Sequence, residues 1–403
     1  MAPLIDVLMP AYNAGWSLPD TLASIQVQTV RDIRIVVVDD GSTDDTASIL
    51  AAAAERDPRI HVITQPNGGI VAALNAGLAA CTAPFIARHD ADDLSDPDRF
   101  ERQMQYLEAN PDCVALAGAA RHIDEAGHNL STQSRLRDLA KADPGNIPAS
   151  EPYLLHPMLM VRRADIQAVG GYRLVLNAED SDLYWRLRER GRLHNLPELL
   201  GSYRMHAASV SSQSIFNGRQ LALSSQLAAI SARRRASKAE DIVFDAAFLR
   251  EIKRPLSMVT IHDVGSRNLT PAERDWLAVA LSMKLLELCF YRPFELTLAD
   301  CQFVHAAIAK HGDVVPDRNL GSVREALIGT SVRLALRGRT RSAIVLAGPK
   351  LLSLVVLRLL FRIVLSNGLR SRIKRMTRRS GPVPLPVRSA DRQAGGDDMG
   401  LPA

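Results

Sequence analysis

The chain has 403 residues, 47% of them hydrophobic, and a formal net charge of +5. That length is enough for one large core and a smaller second one. Its basic residues gather late, in Arg233-Arg234-Arg235 and between Arg370 and Arg379, so a local anionic partner is expected rather than a whole-protein field for nucleic acid.

The first half alternates strand and helix. Ile5 to Met9 is a short apolar run ending at Pro10, and Ser17-Leu18-Pro19-Asp20 reads as a helix start with Ser17 as its cap. Ile33 to Val38 is a β-branched run and a buried strand, stopped by Asp39-Asp40-Gly41-Ser42. A helix follows through Ile49 to Glu55, then a strand from Ile60 to Ile63, a turn at Asn67-Gly68-Gly69 and a helix from Ile70 to Ala80. Pro84 to Arg88 is the fourth strand and runs into His89-Asp90. Asp96-Pro97 is predicted to open another helix, with proline at its first position, before a strand from Cys113 to Ala117. This alternation implies an α/β fold with a mostly parallel sheet covered on both faces. Ligands then sit at the carboxyl ends of the strands, where Val38 and Arg88 hand over to aspartates.

From about Leu221 the pattern turns helical. Thr270-Pro271-Ala272-Glu273 is a capping box for a helix to about Cys289, and Leu298 to Lys310 is a further helix. Cys81, Cys113, Cys289 and Cys301 show no C-x-x-C spacing and read as reduced thiols. The segment Met1 to Asp6 carries neither a basic stretch nor an apolar core, so a cytoplasmic chain is expected.

Three clusters carry candidate chemistry. Asp39-Asp40 can accept hydrogen bonds from a nucleobase or ribose, or simply cap the next helix. Asp90-Ala91-Asp92-Asp93 packs three carboxylates into four positions, a set that a hard divalent cation or a donor network would have to neutralise. The bland alternative is a solvated acidic loop. Glu179-Asp180 opens the segment before Leu183-Tyr184-Trp185, and Asp180 reads as an N-cap or as a general base.

Taken in order, Pro10-Ala11-Tyr12-Asn13, Val37-Val38-Asp39-Asp40-Gly41-Ser42, Ala87-Arg88-His89-Asp90-Ala91-Asp92-Asp93, Gly170-Gly171-Tyr172, Glu179-Asp180 and Trp185-Arg186 resemble glycosyltransferase family 2 over residues 4 to 212. The resemblance implies a GT-A fold, an α/β domain with a central mixed sheet, followed here by an α-helical region. It implies an inverting transferase that moves one sugar from a nucleotide-diphosphate sugar, a UDP-sugar first of all, to a hydroxyl acceptor in polysaccharide or glycolipid synthesis. By position, Pro10, Ala11, Tyr12 and Asp39 resemble the nucleobase pocket, and Asp90 and Arg88 donor contacts. Asp92, Asp93 and His206 resemble holders of Mg²⁺ or Mn²⁺, and Asp180 the catalytic base, with Glu179 and Trp185 on the acceptor side. Tyr203 to His206, followed by Ser209, resembles the family's closing segment. The resemblance departs at Ala73-Leu74-Asn75, where many relatives have an arginine before the asparagine. The rival reading is a GT-A module that binds nucleotide sugar or glycan without turnover.

The expected organisation is a transferase domain over 1–215, a helical region over 216–340, an apolar and basic segment over 341–379 and a disordered tail over 380–403. Lys350, Arg358 and Arg362 interrupt the apolar run from Ser342 to Leu365 and argue against spanning. It reads equally as a helix lying on an anionic membrane surface near a lipid-linked acceptor, or as a buried helix with a solvated basic tail.

Overall fold

The structure is a computed structural model and describes residues 2–206, 215–291 and 295–364. Ser209 and the stretches 370–379 and 380–403 lie outside the described residues. Among the described residues nine strands form one mixed sheet: β1 Ile5–Ala11, β2 Ile33–Asp39, β3 Ile60–Thr64, β4 Phe85–Arg88, β5 Leu94–Ser95, β6 Cys113–Ile123, β7 Asn129–Gln133, β8 Met160–Arg162 and β9 Arg192–Arg204. The order is β3-β2-β1-β4-β8-β6-β9-β5, with β7 on the flank of β6. Strands β3, β2, β1 and β4 run parallel. Strand β8 is antiparallel to both β4 and β6, while β6 and β9 are parallel.

The apolar runs form strands because they are buried on both faces: every residue of β1 is inside. The mostly parallel sheet expected from the alternation is corrected to a mixed one by β8, β5 and β7; β8 and β5 have three and two residues and leave almost no pattern to read.

Helices α1 Leu18–Gln26, α2 Thr46–Arg56, α3 Ile70–Ala80, α4 Arg99–Ala109, α5 Arg163–Ala168 and α6 Glu179–Arg188 flank the sheet. Two helix starts differ from expectation. Ser17 occupies the cap position of α1 but gives that helix no side-chain cap; its hydroxyl donates instead to the Ala91 carbonyl, 3.0 Å away. Pro97 lies before α4, whose N-cap is Asp98, because the Asp96 carboxylate is already held by Arg121 at 2.6 and 3.0 Å.

The remaining helices are α7 Ile215–Ala236, α8 Ala246–Ile252, α9 Met258–Gly265, α10 Pro271–Tyr291, α11 Leu298–His311, α12 Asp317–Leu336 and α13 Thr340–Val364. The Thr270–Glu273 box caps α10 as expected, with Thr270 N donating to Glu273 Oε2 at 2.9 Å. These helices share a second core that also takes in Ile147, Ala149, Val175 and Ala178, so they pack against the loop leading into α6.

Candidate active site

The carboxyl ends of β2, β1 and β4 lie side by side on one edge of the sheet, with Ala11 opposite Asp39 and Leu8 opposite Arg88. Pro10 and Ala11 are buried at the end of β1, and the next residue, Tyr12, is 52% exposed at the rim. Asn13 and Ser42 lock the two loops together: Asn13 N donates to Ser42 Oγ at 3.0 Å, and Thr43 N to Asn13 Oδ1 at 2.8 Å.

The two acids that end β2 divide their work. Asp40 accepts from Gln65, Gly68 N and Gly69 N at 2.7–2.9 Å, which makes it the anchor of the turn into α3. Asp39 is buried and accepts from Ser42 N at 3.0 Å.

The 90–93 loop is pinned by its backbone. Ser17 and Thr21 hydroxyls donate to the Ala91 carbonyl at 3.0 Å, and Thr21 also to the Asp93 carbonyl at 2.9 Å. Arg204 Nε donates to the Asp92 carbonyl at 2.8 Å, and its Nη1 to the Glu125 carbonyl at 2.7 Å. Arg204 is therefore a brace for the loop.

With the backbone fixed, the three carboxylates converge. One oxygen each of Asp90, Asp92 and Asp93 lies within 4.8 Å of the others. Burial and the neighbouring Asp90 charge push Asp92 above the usual carboxylate range, partly offset by His206 Nε2, 2.9 Å from Asp92 Oδ2. Burial, then Asp90 and Asp92, push Asp93 well up. Asp93 Oδ1 accepts from Arg204 N at 2.8 Å, while its Oδ2 is buried with no hydrogen-bond partner among the described residues. Protonation or a cation would relieve such a set, whereas a solvated acidic loop would leave its carboxylates exposed.

Arg88 lies at the centre. It is 4% exposed and ion-paired to Asp90 through Nη2, and its Nε and Nη1 are buried with no partner among the described residues. Burial alone would lower its pKa; Asp90 outweighs that and raises it, with Tyr172 and Asp93 adding to the effect. The same guanidinium acts on Glu179 and Asp180 across the cleft.

Those two acids are the first two residues of α6, and the N-cap is Ala178, not Asp180. Burial, then the Asp180 charge, raises Glu179 to about 7. Burial raises Asp180 to about 6; the Ser181 amide, donating at 2.7 Å, works against this, and the Glu151 charge works with it. Asp180 thus belongs to a pair of partly shielded carboxylates next to a buried cation, the setting in which a carboxylate becomes a useful base near neutral pH.

The Gly170-Gly171-Tyr172 turn closes this side. Gly171 has φ +68°, and a Cβ on it would lie 2.8 Å from Asn75 Oδ1. The close approach is functional in the fold: Asn75 brackets Tyr172, accepting from its N at 2.9 Å and donating to its carbonyl at 2.8 Å. The Tyr172 hydroxyl meets His156 Nε2 at 2.9 Å.

Trp185 is corrected. It is 3% exposed and packs against Ala142, Ala228 and Ala232, so it faces α7 rather than the acceptor side. Its position in a motif carries no information on which face of α6 it occupies.

Two residues of the site went unread in the sequence. Trp16 is 51% exposed, edge-on to His206 at 5.4 Å between ring centroids, with the Arg204 guanidinium 5.6 Å from its ring. Its only sequence signal is an aromatic just after the turn that ends β1. Glu151 faces Asp180 electrostatically and is held by Lys284 of α10 at 3.2 Å, a partner 133 positions away.

Comparison with known proteins agrees with this architecture. Residues 6–170 match the family described as Glycosyl transferase family 2. A glycosyltransferase of Haemophilus influenzae is 32% identical over 229 residues, covering 54% of this chain and 70% of that protein. The amylovoran biosynthesis glycosyltransferase AmsE of Erwinia amylovora is 32% identical over 201 residues, covering 49% of this chain and 74% of its own. The O-antigen biosynthesis glycosyltransferase WbnJ of Escherichia coli is 30% identical over 213 residues, covering 51% and 81%. Among solved structures, S. aureus TarS 1-349 in complex with UDP-GlcNAc superposes with TM-score 0.50 at 15% identity, covering 86% of this chain and 90% of that one, a likeness of fold. With its acids gathered at the carboxyl edge of a GT-A sheet, and with relatives matched over most of their own length, the chain belongs to glycosyltransferase family 2.

Proposed function

We propose that the chain is an inverting glycosyltransferase that moves one sugar from a nucleotide-diphosphate sugar to a hydroxyl acceptor in polysaccharide or glycolipid synthesis. The observation that carries the reading is the convergence of two acidic groups, Asp90-Asp92-Asp93 and Glu179-Asp180, on the buried Arg88. Relatives named for amylovoran and O-antigen synthesis support the product class. A UDP-sugar is the donor to test first, because the fold neighbour was solved with UDP-GlcNAc.

In this reading Tyr12 and Asp39 hold the nucleobase end, with Pro10 and Ala11 shaping the pocket floor. Asp90, placed by Arg88, contacts the donor. Asp92, with Asp93 and His206 beside it, would hold Mg²⁺ or Mn²⁺; the fit rests on the three converging carboxylates and the orphaned Asp93 Oδ2. A divalent ion there supplies positive charge against the departing diphosphate. Asp180 takes the acceptor proton as the hydroxyl oxygen attacks the anomeric carbon from the side opposite the diphosphate. One displacement inverts the configuration, and no protein nucleophile is required.

Asp180→Asn tests the assignment. Transfer should fall by about 10²–10⁴-fold while donor affinity stays within a few-fold. Near-normal turnover in that variant would remove Asp180 from the mechanism. A wild-type protein that binds nucleotide sugar and never turns over would favour the binding-module reading.

A further inference from the structure

We infer that α13 is a membrane-docking helix that lies in the interface of an anionic lipid leaflet. The inference stands apart from the transfer reading.

Among the described residues one helix, Thr340–Arg362, is long and apolar enough to cross a membrane. It does not behave as a free spanning helix. Gly348, at φ 59°, and Pro349 divide it. The part before the kink buries Ala343 and Leu346 in the helical core. Beyond it, Val355 is buried with Ile328 and Val332 of α12, and Leu351, Leu354 and Leu359 pack on the same cluster. Arg358 on that inner face is paired to Glu325 of α12 at 2.9 Å.

The opposite face is bare. Ser353, Val356, Leu357, Leu360 and Phe361 are all exposed, the last four at 46, 64, 53 and 42%. At 100° per residue these five positions fall in a sector of about 140°. Four of the five are apolar, so this is an apolar stripe with one serine in it, not scattered surface leucines. Spanning would strip Val355 and Leu351 from α12 and carry the Arg358–Glu325 pair into hydrocarbon, a costly environment for charge. Lying flat in the interface leaves both contacts intact.

The charge pattern selects the occupant. Residues 340–379 carry ten Lys and Arg and no Asp or Glu, so they hold +10 of a chain whose net charge is +5, and the rest is net negative at −5. An amphipathic helix followed by a basic run matches an anionic leaflet, where apolar insertion and electrostatic attraction add. A second copy of the chain would bring +10 against +10.

Flotation of the full-length protein with vesicles is the test. The wild type should float with phosphatidylcholine–phosphatidylglycerol vesicles, far less with phosphatidylcholine alone, and be released by an alkaline carbonate wash. Leu357→Ser and Leu360→Ser should each weaken partitioning about tenfold. Both side chains are exposed, so the thermal midpoint should hold; Val356→Gln with Phe361→Gln gives a second, independent pair. Several results would overturn the inference: no flotation of the wild type, unchanged flotation of the serine variants and of the glutamine pair, resistance to the carbonate wash, or a dimer in sedimentation that the serine variants dissolve without any vesicle binding.

Discussion

Replacing Glu179 by glutamine isolates the electrostatics of the base. Glu179 and Asp180 are adjacent at the N-terminus of α6, raised to about 7 and about 6 from usual values of 4.5 and 3.8. In both, burial is the largest cause; for Glu179 the Asp180 charge comes next, and coupling between neighbouring carboxylates is mutual. The sign follows. A base must be ionised, so transfer should rise with pH through an acidic limb set by the pair and level off above it. With Glu179 at about 7 and Asp180 at about 6, Asp180 gives up its proton while Glu179 still holds its own. Glutamine mimics that protonated neighbour, and the burial and Glu151 charge that raise Asp180 both remain, so the limb stays near pH 6 in Glu179→Gln. Glu151→Gln removes a charge that does raise Asp180 and leaves Lys284 nearby, so there the limb moves to lower pH. The assay is kcat against pH with saturating donor, wild type and variants side by side. The plateau should change by no more than a few-fold. A limb moved by about a full pH unit in Glu179→Gln, or one unmoved in Glu151→Gln, would refute this. Loss of the plateau in Glu179→Gln with its retention in Asp180→Asn would exchange the two roles.

Two further substitutions probe the frame. A Cβ at Gly201 would sit 2.1 Å from the Leu94 carbonyl oxygen and 2.9 Å from Met158 Cε. Gly201→Ala should therefore push β9 from β5, cost about 1–3 kcal/mol, and weaken donor binding by shifting Arg204, which braces Asp92 and Asp93; thermal melts and calorimetry check both. Trp185→Ala should cost about 3–5 kcal/mol in a denaturant titration, because the ring fills the space against α7, and leave the acceptor KM unchanged in whatever fraction stays folded.

What the sequence made legible follows a physical rule. Strands β1, β2 and β4 are buried on both faces, so their composition alone marks them, and the acids behind them fall at the sheet's carboxyl edge by topology. Strand β9 is different. It runs thirteen residues with Pro197, Glu198 and polar positions, and it exists because β6 pairs with it through several register shifts. That pairing joins residues about eighty positions apart and leaves no periodicity to read. The site divides in the same way. Asp90, Asp92 and Asp180 stand in short motifs, whereas the Glu151–Lys284 contact and the Trp16–His206 edge depend on packing between distant segments. Trp185 shows the converse, a motif residue whose side chain serves the core.

The central claim is that Asp90, Asp92 and Asp93 form one cation-assisted diphosphate site. UDP titrated into the protein by calorimetry, with Mn²⁺ and then with chelator, tests it most directly. Wild-type affinity should rise at least about tenfold with the metal, as expected for a charge-assisted phosphate contact, and Asp92→Ala should lose that gain while still binding UDP weakly through the Tyr12 and Asp39 end. Equal metal-dependent affinity in wild type and Asp92→Ala would contradict it.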